Sequence, residues 1–412
     1  MRHPRRCFWR DRCRSARAGA DEGGVMKAQR TVWIINHYAA LESKDGWAGR
    51  HQALAAHLGR AGWEPVLLLA STGHPVGIQH LPAWRARRVG IEDGVTHVML
   101  RSPSYVGNGV GRMTNMAAFT FQLLLPWTTR GVPKPDVVVG STVHPLAAWA
   151  GLRLARRHRV PFVFEIRDVW PDALIHLGQL RPNSIVARAM TSLMRRLVHA
   201  SDLILSPLPG VPDYLERLGA VDKPFLWVSN GAEGEIVAPP LAPPAEDAFV
   251  FMYLGSFGNA MAVEHLISAF ERVVLARPET KMRFRLIGDG PRKTYFERLA
   301  AETEVADQIT FEPRIPRGQV VARASEADCL VHSLHDHAVY EYGISPNKLF
   351  DYLLAARPVV FAANVRNNPV SEAHAGHVVP AEDVDALARA MCAVVDAPPE
   401  ERTAMGARGG RT

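Results

Sequence analysis

Tyr342-Gly343-Ile344-Ser345-Pro346-Asn347-Lys348-Leu349-Phe350-Asp351-Tyr352-Leu353-Leu354-Ala355-Ala356-Arg357-Pro358-Val359-Val360 holds a turn, a helix and the start of a strand in immediate succession. Gly343 permits the turn. Pro346 suits the first turn of a helix, because the amide it lacks would have no intrahelical partner there. Pro358 ends the helix, and Val359-Val360 begins an apolar, β-branched run of the kind that fills a buried parallel strand. Helix running directly into buried strand is half of a βαβ unit.

The same alternation extends outward in both directions. Upstream, strands are expected at Thr31 to Ile35, Val66 to Leu69, Val137 to Val139, Phe162 to Glu165 and Leu203 to Leu205, with Phe225 to Val228 closing the set. A second series is expected at Phe249 to Leu254, Phe284 to Ile287, Ile309 to Phe311, Cys329 to His332, Val359 to Phe361 and Val378 to Val379. Between the two lies Ala238-Pro239-Pro240-Leu241-Ala242-Pro243-Pro244, whose prolines cannot donate the hydrogen bonds of a helix or inner strand. The expectation is an α/β chain of two Rossmann-like, doubly wound domains, 26–230 and 248–412, joined by a Pro-rich linker at 231–247 and facing each other across a cleft.

Bulk properties narrow the function. No apolar run reaches the roughly 20 residues a spanning helix needs. Four cysteines without metal-ligand or disulfide-scaffold spacing point to a reducing compartment, hence a cytoplasmic protein. The net charge of +7 is concentrated in residues 1–25, where seven arginines face Asp11, Asp21 and Glu22. That distribution speaks against a nucleic-acid partner. The leader lacks an apolar signal core, and Met26-Lys27 stands just before the first strand, so a disordered, non-native leader is expected. Met405-Gly406-Ala407-Arg408-Gly409-Gly410 stops where a closing helix would be expected, which suggests truncation.

In open parallel sheets ligands bind beyond the carboxyl ends of the strands, so the turns there are the candidates. Asp45-Gly46-Trp47-Ala48-Gly49 precedes a helix near Arg50, and Gly46 and Gly49 would let backbone approach a phosphate at that helix end; a plain turn is the alternative. Gly288-Asp289-Gly290-Pro291 fails the dinucleotide fingerprint, since Lys293 stands at the third glycine, and fits a tight strand-to-helix turn. Amides around Ser345 to Lys348 would face an anion, Lys348 adds a charge, and Asp351 lies one turn on. An ordinary core helix is the bland reading. Asp383-Val384-Asp385 mimics a metal motif but stands where acids favour a helix start, so no metal is expected. The stretch Ile185 to Val198 sets Arg188, Arg195 and Arg196 beside Leu193 and Leu197, as either a lipid-resting or a solvated helix.

Several runs together resemble the family 4 glycosyltransferases of the GT-B fold, near a WbuB-like, polysaccharide-building branch. They are Gly140-Ser141-Thr142-Val143-His144-Pro145, Glu165-Ile166-Arg167-Asp168-Val169-Trp170-Pro171, Tyr253-Leu254-Gly255-Ser256, Leu286-Ile287-Gly288-Asp289-Gly290-Pro291 and Ser345-Pro346-Asn347-Lys348. The resemblance implies retaining, metal-free sugar transfer from a UDP-linked nucleotide sugar to a lipid-linked or saccharide acceptor. Peripheral contact with the anionic inner face of the plasma membrane goes with it. Of the family's two acids eight positions apart, the first falls on Gly343 and the second, which binds the ribose, on Asp351. The usual Arg and Lys after the first strand of the second domain fall on Ser256 and Met261, so Lys348 is expected to replace their charge, with Arg314 or Arg366 in reserve. Gly255, Ser256, Gly288, Arg314, Ser345, Pro346, Asn347, Lys348, Leu349 and Asp351 are the expected donor residues. Lys348, His144 and Asp168 are the catalytic candidates, and Arg167 would face the acceptor beside Asp168, where many relatives carry a histidine. Two other readings fit the same fold: a nucleotide-sugar epimerase, and a non-catalytic nucleotide-sugar-binding assembly protein.

Overall fold

The computed structural model describes residues 29–45, 49–73, 77–107, 109–176, 178–232 and 248–410. The leader at 1–25, Gly46 and nearly all of the Pro-rich linker lie outside the described residues.

The first sheet is built from β1 (Arg30–Ile35), β2 (Trp63–Ala70), an edge hairpin of β3 (Arg87–Glu92) and β4 (Val95–Leu100), then β5 (Val137–Ser141), β6 (Phe162–Glu165), β7 (Leu203–Ser206) and β8 (Phe225–Trp227). Their spatial order is β8-β7-β6-β5-β1-β2-β4-β3, parallel except for the hairpin. Helices α1 (Arg50–Arg60), α2 (Val110–Leu124), α3 (Pro145–His158) and α4 (Ile185–Ala200) cover its two faces. The core strands read as near-continuous apolar runs because both faces are covered, as Val66 to Leu69 shows with every side chain buried.

The second sheet orders β9 (Phe249–Ser256), β10 (Met282–Asp289), β11 (Ile309–Glu312), β12 (Cys329–Ser333), β13 (Val359–Ala362) and β14 (Gly376–Val379) as β11-β10-β9-β12-β13-β14, all parallel. Around it lie α5 (Val263–Ala276), α6 (Lys293–Ala301), α7 (Asn347–Leu354), α8 (Val384–Asp396) and α9 (Pro399–Gly409). The order reverses between β5 and β1 in one sheet and between β9 and β12 in the other. Those crevices are where such sheets bind ligands.

The hairpin β3–β4 was absent from the sequence expectation, although Asp93-Gly94 at its tip, both at positive φ, is a strong two-residue turn signal. Residues 405–409 lie in α9, where Gly406 lets the helix approach the Ala356 carbonyl closely. Asp383 caps α8 through the Ala386 amide at 2.8 Å, and Asp385 pairs with Arg272. Among the described residues no group of three or more His, Cys, Asp or Glu side chains is placed to hold a metal ion. In α4, Leu197 is buried and Leu193 packs on the core, so the apolar face weighed for lipid turns inward, while Ile185 and Val186 at its start are exposed. Among the described residues no helix is long and apolar enough to cross a membrane.

Candidate active site

A cavity of about 280 Å3 opens between the two sheet edges. Gly49, Arg50, His51, Arg112, Arg167 and Asp168 line it from the first domain, and Asn347 from the second. Gly49 is the N-cap of α1 and its N–H donates to the Ala40 carbonyl, so the turn expected there sits on the cavity wall.

Beneath that wall the first domain contains a closed polar network. Glu165, wholly buried at the end of β6, accepts from Arg50 Nε at 2.9 Å and lies 2.5 Å from His51 Nε2. Burial alone would push its carboxyl up. His51, Arg50 and Arg167 more than reverse this, holding it well below the usual carboxylate range. Burial outweighs the pull of Glu165 and lowers His51, with Asn36 Nδ2 against its Nδ1 at 2.7 Å. Arg167 was expected to face the acceptor, whereas Glu165, Arg50, His51 and Asn36 were given no role from sequence. The signal was weak: an apolar-flanked Glu at a strand end and an Arg-His pair opening a helix.

His144 does not reach the cavity, which revises its catalytic assignment. The residue is 4% exposed and caps α3, its Nδ1 accepting from the Ala147 amide at 3.3 Å. Its Nε2 meets His37 Nδ1 at 2.7 Å, and His37 Nε2 donates to Asn115 Oδ1 at 2.6 Å. Burial, with Arg112 adding to it, pushes His144 down to about 3, so the ring stays neutral at any working pH. Asp168 does face the cavity. Its carboxyl is raised by the surrounding protein, against the opposing pull of Arg167, whose own backbone amide donates to Thr142 Oγ1 at 2.9 Å.

In the second domain the chain after β12 turns at Gly343 (φ +101°) and enters α7, whose first turn no side chain caps. Lys348 reaches from that turn to the β9 end. Its ammonium lies 3.0 Å from Tyr253 Oη and 3.3 Å from Met261 Sδ. Loss of water around the ammonium pulls Lys348 down to about 7. A Cβ at Gly255 would sit 2.4 Å from Nζ, so a side chain there would push the lysine from its present path. Gly288 (φ +156°) serves packing instead: its Cα face presses on the Gly255 carbonyl, and any Cβ would clash. Ser256 is exposed at the strand end.

Asp351 lies in the same helix, but its carboxylate is occupied. Arg317 forks onto both oxygens, with Nη2 to Oδ1 at 2.7 Å, while burial raises the carboxyl and Arg317 opposes that rise. Leu349 points into the core and is fully buried, so its side chain cannot touch a donor. Arg314 is exposed, and Arg366 is engaged with Asp213 across the domains, which removes it from the reserve of donor cations. Ser345 and Pro346 form the entry to α7, with Asn347 facing the cavity.

Two family models match the chain in series. "Glycosyl transferase 4-like domain" covers residues 46–231, and "Glycosyl transferases group 1" covers 248–397. The probable glycosyltransferase WbjE of Pseudomonas aeruginosa is 23% identical over 286 residues, 66% of this chain and 68% of the relative. Among solved structures, the sucrose-phosphate synthase of Thermosynechococcus elongatus superposes with a TM-score of 0.68 over 93% of this chain and 94% of its own, at 16% identity. Anabaena HepE in complex with UDP-glucose does so at 0.58, with 92% and 93% coverage and 11% identity. With two parallel sheets facing one cleft and both halves matched by glycosyltransferase domains, the chain belongs to the family 4 glycosyltransferases of the GT-B fold.

Proposed function

We propose that the chain transfers a sugar from a UDP-linked donor, bound by the second domain, to a lipid-linked or saccharide acceptor seated in the interdomain cavity. The observation that carries this reading is the Lys348 ammonium, which stands beside Met261 and Tyr253 with no acidic partner within bonding reach among the described residues. A half-buried cation held by neutral groups favours an arriving anion, and the first-turn amides of α7 add donors to it. The family's usual lysine falls on Met261, and Lys348 brings its charge to that residue from another element. The UDP-glucose complex of HepE supports a uridine donor.

Lys348 and the α7 amides would stabilise the charge that develops on the diphosphate as the glycosidic bond breaks, an effect worth roughly 3 kcal/mol per preorganised donor. Asp351 would share its remaining lone pairs with the ribose hydroxyls while Arg317 holds it. Asp168 and Arg167 would orient the acceptor, the carboxylate taking a hydrogen bond from the attacking hydroxyl and the guanidinium facing any acceptor phosphate. Retention of configuration, independence of metal, placement near the WbuB-like branch, a role in cell-surface polysaccharide building and action at the cytoplasmic membrane face rest on the resemblance alone.

Calorimetric titration of UDP, followed by a thermal-shift screen of nucleotide sugars, tests the donor assignment. UDP should bind, and Lys348→Ala should then lower kcat more than it raises KM with the donor so found. A wild-type chain blind to UDP and to UDP-sugars sinks the reading.

A further inference from the structure

The turn that enters α7 is held more by the first domain than by its own. Arg50, at the start of α1, is anchored by buried Glu165 and uses its other guanidinium donors on the segment after β8: the Val228 and Ser229 carbonyls, each at 2.7 Å, and Asn230 Oδ1 at 3.1 Å. That last contact fixes which way the Asn230 amide faces. Its Nδ2 donates to the Ser345 carbonyl, while the Asn230 backbone N–H donates to Ser345 Oγ at 2.7 Å. Ser345 precedes Pro346, the N-cap of α7.

Three residues earlier, Tyr342 is 1% exposed and packs within the hydrophobic core of the first domain, its ring 6.0 Å from Tyr214. Its carbonyl accepts from the Gly210 amide at 2.8 Å, and a Cβ at Gly210 would collide with the Tyr342 backbone. Between these two clamps Ile344 is tied to the second domain by Asn367, and the Gly343 N–H donates to the Tyr340 carbonyl at 2.9 Å.

We propose that Asn230, oriented by Arg50, is a positioning residue for the donor: it sets where the first turn of α7, and therefore Lys348, stands relative to the acceptor domain. The inference rests on the donor assignment above for its functional meaning. Errors near 1 Å in such placement can cost about a hundredfold in rate, so a polar latch at this point is of mechanistic weight.

Hydrogen exchange on the full chain tests it without a substrate. Asn230→Ala should speed exchange of the Leu349 to Asp351 amides about tenfold and leave β9 and β12 as in wild type. Arg50→Lys should do the same although Arg50 does not touch Ser345, because the shorter, unforked lysine keeps a charge for Glu165 but cannot span to the 228–230 carbonyls. Should Arg50→Lys fail to fold, Ser345→Ala removes the acceptor from the other side and takes its place. In calorimetry Asn230→Ala and Arg50→Lys should bind UDP severalfold more weakly. Wild-type exchange at 349–351, a uniform rise through the second domain, or faster exchange with unaltered UDP affinity would each overturn the latch. A wild-type chain that does not bind UDP defeats the donor assignment instead, and the exchange comparison still decides whether the clamp exists.

Discussion

The two sheet edges that face the cleft treat their buried polar groups in opposite ways. On the first domain, Glu165 neutralises Arg50 and bonds His51, and His144, His37 and Asn115 complete one another in a chain. On the second, the Lys348 ammonium rests on a phenol and a thioether, and both ring nitrogens of His332 and the Ser333 hydroxyl, fully buried at the end of β12, have no hydrogen-bond partner among the described residues. Groups satisfied internally stabilise the apo fold, whereas unsatisfied ones cost it stability and favour whatever ligand completes them. The contrast is one of degree, since Trp170 Nε1 on the first domain's side of the cavity is also without a partner among the described residues; the second domain's unpaired groups are the ones the proposed donor would meet.

The strongest way to break that contrast is to treat both edges alike. Glu165→Gln leaves Arg50 buried without its counter-charge and should cost about 3 to 5 kcal/mol of stability, read as a lowered midpoint in urea. The carboxyl lies below its ordinary 4.5 in the fold, so its contribution is fully present above that pH and fades as pH falls below it. The wild type should therefore lose its advantage over the variant in acid. Lys348→Met should behave in the opposite sense, weakening UDP by about 1.5 to 3 kcal/mol while the melting temperature holds or rises. A fall in stability of the Glu165 size at Lys348 would abolish the distinction.

A smaller effect sharpens it. Because Lys348 sits near 7 in the fold and 10.5 outside it, the unfolded chain binds the extra proton between those values, and wild-type stability should climb with pH across that window. A bound diphosphate should raise the lysine again. Titrations of UDP at pH 8 in buffers of different ionisation enthalpy should then show net proton uptake, absent in Lys348→Met. The smallest expected effect is none: EDTA should leave turnover unchanged, and activity lost to EDTA and restored by Mn²⁺ would refute metal-free transfer.

Most of the fold was legible because buried parallel strands are short, apolar and β-branched, and each expected strand was found within two or three residues of its place. The edge hairpin escaped because Arg87-Arg88-Val89-Gly90-Ile91-Glu92 carries charges suited to an outer strand, a pattern that hides it from a search for apolar runs. Lys348, Asp351 and Asp168 could be singled out because they lie in motifs, and of the three Asp168 lines the cavity. Arg50, Asn230 and Arg317 could not. Their partners stand 180, 115 and 34 residues away, and no local periodicity reports a contact of that kind. His144 misled for a related reason: a histidine before a proline at a helix start looks the same in sequence whether it caps the helix or faces a substrate.

Tyr342 has one more effect, on how the protein comes apart. The ring belongs by chain order to the second half and by packing to the core of the first. A fragment ending before the linker would carry a vacancy the size of an aromatic side chain, and losing such a buried ring typically costs about 3 to 5 kcal/mol. The halves are thus joined in their unfolding as well as in their chemistry, and heating should melt them in a single cooperative step where two tethered, independent domains would give two.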